Sequence, residues 1–353
     1  MAGSARLGGG EAGQQGRGAA PPDPARPTVG IVGVGNMGGG MASNLLARGW
    51  TVAVHDVDTH KMAHYKQYGA IASVSASDVA TKTEVLIVCV VDAEQTAEVL
   101  FGPGGVAQVA RISAPEGPAG AQDAVGAHKA TPASPLGALR ARTVMLCPTI
   151  APADVERFAG QLAALGIAAI DAPMSGGPDR ARDGSMSLMV ACPQAVFDQH
   201  RLLLQALSSR LFHVSERVGD GARTKLVNNL LAGINLVGAA EVMALADRMG
   251  LNLPRTLDVI EQSSGQSWIG SDRMRRAIAG DFEPRAHMTL LAKDTRLAVE
   301  AARAAGFEGP LGAAASATFA RAVAAGMAGL DDGALLRLVR NQDVVGAHPP
   351  NRG

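Results

Sequence analysis

The sequence predicts an α/β protein: a doubly wound, mostly parallel sheet first, then an all-α half reached through one long helix. Three observations predict this. Short apolar runs alternate with helix-period segments from Thr28 to about Ala191, the pattern of parallel strands covered on both faces by crossover helices. A glycine-rich turn, Gly33-Val34-Gly35-Asn36-Met37-Gly38, stands between the first strand and the first helix. Near Gly219–Gly221 the pattern switches, and almost every later segment has a helical period.

The elements follow in order. Thr28–Val32 reads as a buried strand, and the helix after the glycine turn places Met41, Leu45 and Leu46 on its apolar side. Thr51–Val54 is the second strand and ends at His55-Asp56. A helix near Lys61–Tyr68, a short strand at Ile71–Val74 and a helix start at Ser77-Asp78 come next. Val85–Val91 is a near-continuous apolar strand, and Ala93–Phe101 is a helix closed by Gly102-Pro103-Gly104-Gly105. Arg111–Leu139 carries Pro and Gly throughout without a period and is expected to be an extended loop or insertion. Thr143–Cys147 is a strand, about Ala153 to Leu165 a helix, and Ile167–Ile170 a strand that runs into Asp171-Ala172-Pro173-Met174-Ser175-Gly176-Gly177. Met186–Ala191 is another strand. Ala222–Met249 predicts one helix roughly 40 Å long, closed by Gly250, with Pro254 beyond. Its second half is apolar nearly all round, so it is expected to be buried between domains or subunits. Further helices are expected at Arg255–Gln262, Trp268–Ala279, Lys293–Ala305, Gly312–Ala325 and Gly333–Arg340. The domain reading is a tail at 1–27, a sheet domain at 28–218 with an insertion at 111–139, an all-α domain at 219–342 and a tail at 343–353.

Composition narrows the function classes. At 353 residues, 47% of them apolar, the chain can bury two sizeable cores. Its formal net charge of +0 gives no bulk electrostatic case for nucleic acid or an anionic membrane. The longest apolar run, Leu230–Leu245, carries Asn235 and Glu241, which argues against a membrane span. Cys89, Cys147 and Cys192 form no C-x-x-C pair, so neither a metal site nor a disulfide framework follows from them, and a reducing compartment such as the cytoplasm fits. The Gly-, Ala- and Pro-rich residues 1–27 have too few large apolar side chains to offset ordering entropy and lack the apolar stretch of a secretory signal.

The glycine turn has the context of a dinucleotide site, with a strand before it, a helix after it and an acid about 20 residues on. Gly33 permits the tight turn, Gly35 lets the backbone approach a pyrophosphate, and Gly38 lets helix and strand pack closely. Asn36 and Met37 lie at the helix N-terminus, where free N–H groups and the dipole favour an anion. Asp56 can accept hydrogen bonds from the adenosine ribose and would repel a 2′-phosphate, which favours NAD over NADP. His55 and His60 stand close enough in sequence to modify that preference.

Three further segments carry chemistry. Ser175-Gly176-Gly177 at a strand's C-terminal end presents backbone N–H groups suited to a carboxylate. Lys225 and Asn229 are four apart and share a helix face. Burial and the positive end of the helix both disfavour an ammonium at Lys225, lowering its pKa toward the range of a proton donor and acceptor. Lys293-Asp294 reads as opening a helix after a turn at Pro284–Thr289. Asp294 suits that end of the dipole and Lys293 does not, which gives Lys293 a ligand role.

On these residues the chain resembles the β-hydroxyacid dehydrogenases, the 3-hydroxyisobutyrate dehydrogenase-like family, from about Thr28 to Val339. The cofactor motif G-x-G-x-M-G-x-x-M-A-x-N-L is Gly33 to Leu45, D-A-P-x-S-G-G is Asp171–Gly177, K-x-x-x-N is Lys225 and Asn229, and K-D is Lys293 and Asp294. The resemblance implies a Rossmann domain, a long connecting helix and an all-α domain that forms homodimers or homotetramers. It implies hydride transfer between a nicotinamide and a short 3-hydroxy acid, with Lys225 moving the hydroxyl proton and Asn229 orienting the reacting end. Ser175, Gly176 and Gly177 would hold the substrate carboxylate, while Thr149 and Lys293 contact cofactor. The chain departs from the family in having Pro148-Thr149-Ile150 where S-T-[IV] is usual, and Arg180 where Gly is frequent. Lys225–Leu245 and Gly265-Gln266-Ser267-Trp268 resemble the L-threonate dehydrogenase branch, where a polar contact from Ser267 or Trp268 would suit a polyhydroxy acid. The alternatives are 3-hydroxyisobutyrate dehydrogenase or tartronate semialdehyde reductase activity, an imine reductase, and a non-catalytic dinucleotide-binding module. Lys225 counts against the last two.

Overall fold

The computed structural model describes residues 26–113 and 138–340. The expected tails, and the insertion apart from its two ends, lie outside them. The first half interleaves strands β1 (Val29–Val32), β2 (Val52–His55), β3 (Ile71–Ala72), β4 (Val85–Val88), β5 (Thr143–Leu146), β6 (Ala168–Asp171), β7 (Met174–Ser175), β8 (Ser187–Ala191) and β9 (Arg210–Ser215) with helices. The helices are α1 (Asn36–Ala47), α2 (Thr59–Gln67), α3 (Ala76–Lys82), α4 (Ala93–Phe101), α5 (Val106–Ser113), α6 (Pro152–Ala163), α7 (Gly177–Asp183) and α8 (Gln194–Leu207). The rest is helical: α9 (Asp220–Arg248), α10 (Leu253–Glu261), α11 (Trp268–Ile278), α12 (Met288–Ala304), α13 (Pro310–Ala322) and α14 (Leu335–Arg340).

Strands β3-β2-β1-β4-β5-β6 run parallel in that order, β8 joins β6 antiparallel, and β7 and β9 flank β8. This is the doubly wound order, in which ligands bind beyond the strands' carboxyl ends. The apolar runs alternate between two cores. Val85 and Ile87 face one with Met41, Leu45 and Met145, and Leu86 and Val88 face the other with Leu146 and Phe158. Each such large side chain contributes about 1.5–3 kcal/mol on burial. A third core surrounds α9, where Leu236, Ala240 and Met243 meet Met274, Phe319 and Leu335.

Helix α9 is long and apolar enough by length and composition to cross a bilayer. Here that apolar character serves the third core, although Val227, Leu231, Val242 and Leu245 stay exposed, so one face of the expected all-round burial is open. Its N-terminus has a distinct anchor. Gly219 and Ala222 donate to Asp171 Oδ2 at 2.9 and 3.0 Å, so a carboxylate at the end of β6 caps the long helix.

Several elements differ from the sequence expectation. Ser75, not Ser77, caps α3, its Oγ accepting the Asp78 N–H at 3.1 Å. Strand β4 ends at Val88 rather than Val91. Arg111–Ser113 belong to α5, and Leu139 is buried in the second core, so both ends of the expected loop are structured. The segment around Ser175-Gly176-Gly177 forms the short strand β7 and helix α7, which the sequence reading did not assign, and Pro178 suits α7's first turn. Helix α12 starts at Met288, which puts Lys293 and Asp294 in its second turn. The dipole argument for Lys293 therefore falls, and its role rests on its contacts.

Candidate active site

The glycine turn behaves as its spacing requires. Gly33 has φ +90°, and a Cβ there would stand 2.6 Å from the Cys89 carbonyl oxygen. A Cβ on Gly38 would reach 1.9 Å from the Gly33 carbonyl oxygen. A Cβ on Gly35 would meet nothing within 4 Å, leaving space where a ligand backbone would lie. Helix α1 has no side-chain cap and no acid in its first turn, so the N–H groups of Asn36 and Met37 are available to an anion. A cavity of about 650 Å³ opens there, bordered by Gly35, Asn36, His60, Lys61, Arg182 and Arg285. Open space at Gly35, uncapped N–H groups and the cations Lys61, Arg182 and Arg285 fit a dinucleotide diphosphate. Asp56 closes β2, and its Oδ2 accepts the Val34 N–H at 2.8 Å while Oδ1 accepts the Asp58 N–H at 2.9 Å. The carboxylate is thereby fixed beside the turn, with Lys61 Nζ 3.9 Å away.

Lys225 sits in the second turn of α9, 7% exposed, and makes no hydrogen bond or ion pair with a described residue. Burial lowers its pKa from 10.5 to about 8; the Asp294 carboxylate acts against that and Lys293 adds to it. Gly221, Lys225 and Asn229 share one face of α9. Gly221 fits against the Met189 carbonyl and Asp171, where a Cβ would come within 2.8–2.9 Å of both. The Met189 N–H in turn donates to the Pro173 carbonyl at 3.0 Å. Lys225 therefore stands one helical turn along α9 from its contact with the segment that leads into Ser175-Gly176-Gly177. Gly176 and Gly177 both have positive φ, a backbone conformation that glycine adopts without strain.

The other wall comes from α12. Asn229 Nδ2 donates to Asp294 Oδ2 at 2.6 Å, Lys293 Nζ is 2.9 Å from Asp294 Oδ1, and Lys293 Nζ donates to the Thr149 carbonyl at 2.5 Å. One chain of contacts thus joins the loop after β5 to α12 and α9. The start of α12 is held by a buried acid: Asp331 accepts from the Arg276 guanidinium and from the Arg285 and Gly333 N–H groups.

Lys225, Asn229, Lys293 and Thr149 are brought together around Asp294; Gly35 and Asn36 line the cavity, Gly33, Met37 and Gly38 belong to the same turn without lining it, and Asp56 is tied to that turn through the Val34 N–H. Sequence reasoning missed the cap made by Asp171 and the linking role of Asp294. The first had a signal in an acid ending a strand; the second depends on contacts between remote helices. Ser267, expected to face substrate, caps α11 by accepting the Gly270 N–H at 3.1 Å. Among the described residues no group of three or more His, Cys, Asp or Glu could hold a metal ion.

Comparison with known proteins agrees with this geometry. Residues 28–114 and 135–215 match the NAD binding domain of 6-phosphogluconate dehydrogenase, and residues 219–339 match the NAD-binding model of NADP-dependent 3-hydroxyisobutyrate dehydrogenase. The chain is 33% identical over 320 residues to L-threonate dehydrogenase of Escherichia coli O6:H1, covering 90% of this chain and 97% of the relative. It is 30% identical over 328 residues to 3-hydroxyisobutyrate dehydrogenase of Pseudomonas aeruginosa, covering 89% and 99%. The crystal structure of 3-hydroxyisobutyrate dehydrogenase from Salmonella typhimurium superposes with TM-score 0.74 at 32% identity, covering 88% of this chain and 99% of that one. Together with the buried Lys225 on the face of α9, these dehydrogenase relatives and family models make the chain an NAD(P)-dependent 3-hydroxy acid dehydrogenase. The chain belongs to the β-hydroxyacid, or 3-hydroxyisobutyrate dehydrogenase-like, family.

Proposed function

We propose that this enzyme uses NAD in preference to NADP to oxidise a sugar acid such as L-threonate, ahead of 3-hydroxyisobutyrate or tartronate semialdehyde chemistry. The carrying observation is Lys225: a buried amine without an ion pair, near neutrality in pKa, on the same helix face as Asn229. A bound nicotinamide supplies the acceptor for the hydride of the hydroxyl-bearing carbon. Ser175, Gly176 and Gly177 hold the substrate carboxylate. Lys225 takes the hydroxyl proton as the alcohol becomes a carbonyl and returns it in the reverse direction. Asn229, anchored on Asp294, orients the reacting end, while Thr149 and Lys293 contact the cofactor.

The NAD preference is supported by Asp56 and by its sequence neighbour Val57, an exposed apolar residue in place of an Arg; Lys61, 3.9 Å from Asp56, is the cation that acts against it. Val227, Leu231, Val242 and Leu245 lie within about 60° of one another around α9, and this open apolar face supports a homodimer or homotetramer. Free Cys89, Cys147 and Cys192 suit a reducing cytoplasm. The test is a panel of L-threonate, 3-hydroxyisobutyrate and the reduction of tartronate semialdehyde, each with both dinucleotides. Highest kcat/KM for L-threonate with NAD supports the reading; a preference for another acid or for NADP overturns that part of it.

A further inference from the structure

Arg180, like Lys225, stands apart from the paired cations around this cleft. Lys293 pairs with Asp294, Arg273 with Asp332, Arg182 with Asp179 and Arg285 with Asp281. The guanidinium of Arg180 makes no hydrogen bond or ion pair with a described residue. Its stem crosses the Ser175–Gly177 turn so closely that a Cβ on Gly176 would stand 2.8 Å from Arg180 Cδ. Its head lies 5.4 Å from the centre of the Trp268 indole on α11. One side chain thus begins on the sheet half, runs over the carboxylate turn and is held at its far end by the helical half. A guanidinium at this distance is attracted to the indole face, and its N–H donors have no acceptor among the described residues. The result is a donor fork drawn toward Trp268 and left without an acceptor among the described residues.

We propose that Arg180 reads a second oxygen-bearing end of the substrate, remote from the carboxylate held by Ser175–Gly177. Its ligands are acids with either vicinal hydroxyls or a second carboxylate, because a guanidinium fork pairs with two acceptor oxygens at once. A substrate ending in a methyl group leaves those donors unpaired and is disfavoured. Trp268 is the positioning residue that holds the fork. The proposal rests on the active site centred on Lys225, but not on L-threonate being the preferred acid.

The experiment compares wild type with Arg180→Met, which keeps the stem, and Arg180→Lys, which keeps the charge but loses the fork. The acids are L-threonate, 2-(hydroxymethyl)glutarate and 3-hydroxyisobutyrate, with saturating NAD. In Arg180→Met, the kcat/KM ratio of each of the first two acids over 3-hydroxyisobutyrate is expected to fall roughly 10–100-fold, mostly through KM. Arg180→Lys should recover part of that ratio for the dicarboxylate and little for L-threonate. A uniform loss on all three acids would make Arg180 a structural latch or a holder of the common carboxylate, and unchanged ratios would remove it from recognition; either result overturns the proposal. Should wild type reject L-threonate yet show the Arg180-dependent ratio for the dicarboxylate, the preferred acid is wrong and this inference stands. If none of the acids turns over, a titration of indole fluorescence with 2-(hydroxymethyl)glutarate decides. A response of Trp268 that Arg180→Met abolishes supports the proposal, and an unaltered or absent response refutes it.

Discussion

Asn229 Nδ2 donates to Asp294 Oδ2 at 2.6 Å, and the same carboxylate favours the charged form of Lys225 across the cleft. One acid therefore fixes the orienting amide and tunes the proton-transfer group. Removing its charge while keeping its shape separates the two roles. In Asp294→Asn the Lys225 amine loses the influence that raises its pKa, so the inflection of the pH profile for oxidation should move below about 8. An unmoved inflection, or one displaced upward, would deny the coupling.

Lys225 should also carry a stability cost. Its folded-state pKa is depressed from 10.5 to about 8, so folding disfavours the ammonium. That cost is fully present below about 8 and disappears as pH rises to about 10.5, where the unfolded lysine also loses its proton. Lys225→Met should therefore be more stable than wild type by about 1–3 kcal/mol near neutral pH, with the gain shrinking at high pH. Denaturant melts at two pH values measure this, and a variant less stable at neutral pH would contradict it.

Asp171 makes a different prediction for each replacement. Burial raises its pKa to about 6 even though backbone N–H groups favour the carboxylate. Its ionisation costs stability as pH climbs from 3.8 to about 6, and the cost persists above that. Asp171→Asn keeps an acceptor for Gly219 and Ala222 and removes the charge, so above about pH 6 it should match or exceed wild type. Asp171→Ala leaves both N–H groups without their acceptor and should lose about 1–3 kcal/mol. Thermal melts in which the two variants behave alike would refute the capping role.

The glycine turn separates binding from folding. Gly35→Ala meets nothing within 4 Å, whereas Gly38→Ala would collide with the Gly33 carbonyl. Gly35→Ala should keep the wild-type melting temperature and weaken dinucleotide affinity by roughly tenfold or more. Gly38→Ala should lower the melting temperature itself. Calorimetric titration and thermal melts give both numbers, and equal effects at the two positions would contradict the assignment.

Much of this was legible in the sequence because the signals were local. Gly33, Gly35 and Gly38 each meet the constraint their spacing implies, and Val85–Val88 alternates between two cores as a doubly covered strand must. Lys225 and Asn229 were placed on one face by counting residues along a helix. What was missed depends on contacts between remote segments. Helix α12 begins at Met288 because its N–H donates to the Leu330 carbonyl at 2.9 Å, a partner that no local pattern reveals. Asp294 links α9 to α12 only once both helices are packed. Helix α8 and strand β9 went unassigned although their periods were present: Phe197, His200, Leu203, Leu204 and Leu207 are buried at helical spacing, and β9 alternates in exposure along its length. Arg180 stood out only as a departure from the family pattern, and its place over Trp268 needed the fold.

The central claim is that the Lys225 amine moves the substrate proton. The most direct measurement is the rate of nicotinamide reduction by the preferred acid, in wild type and in Lys225→Met, from about pH 6 to pH 10. Wild type should rise to a plateau with an inflection near 8, because only the neutral amine accepts a proton. Lys225→Met should be slower by roughly 10²–10⁴-fold, without that inflection, and with dinucleotide affinity within a few-fold of wild type. A variant that keeps near-wild-type rates, or the same inflection, would contradict the account.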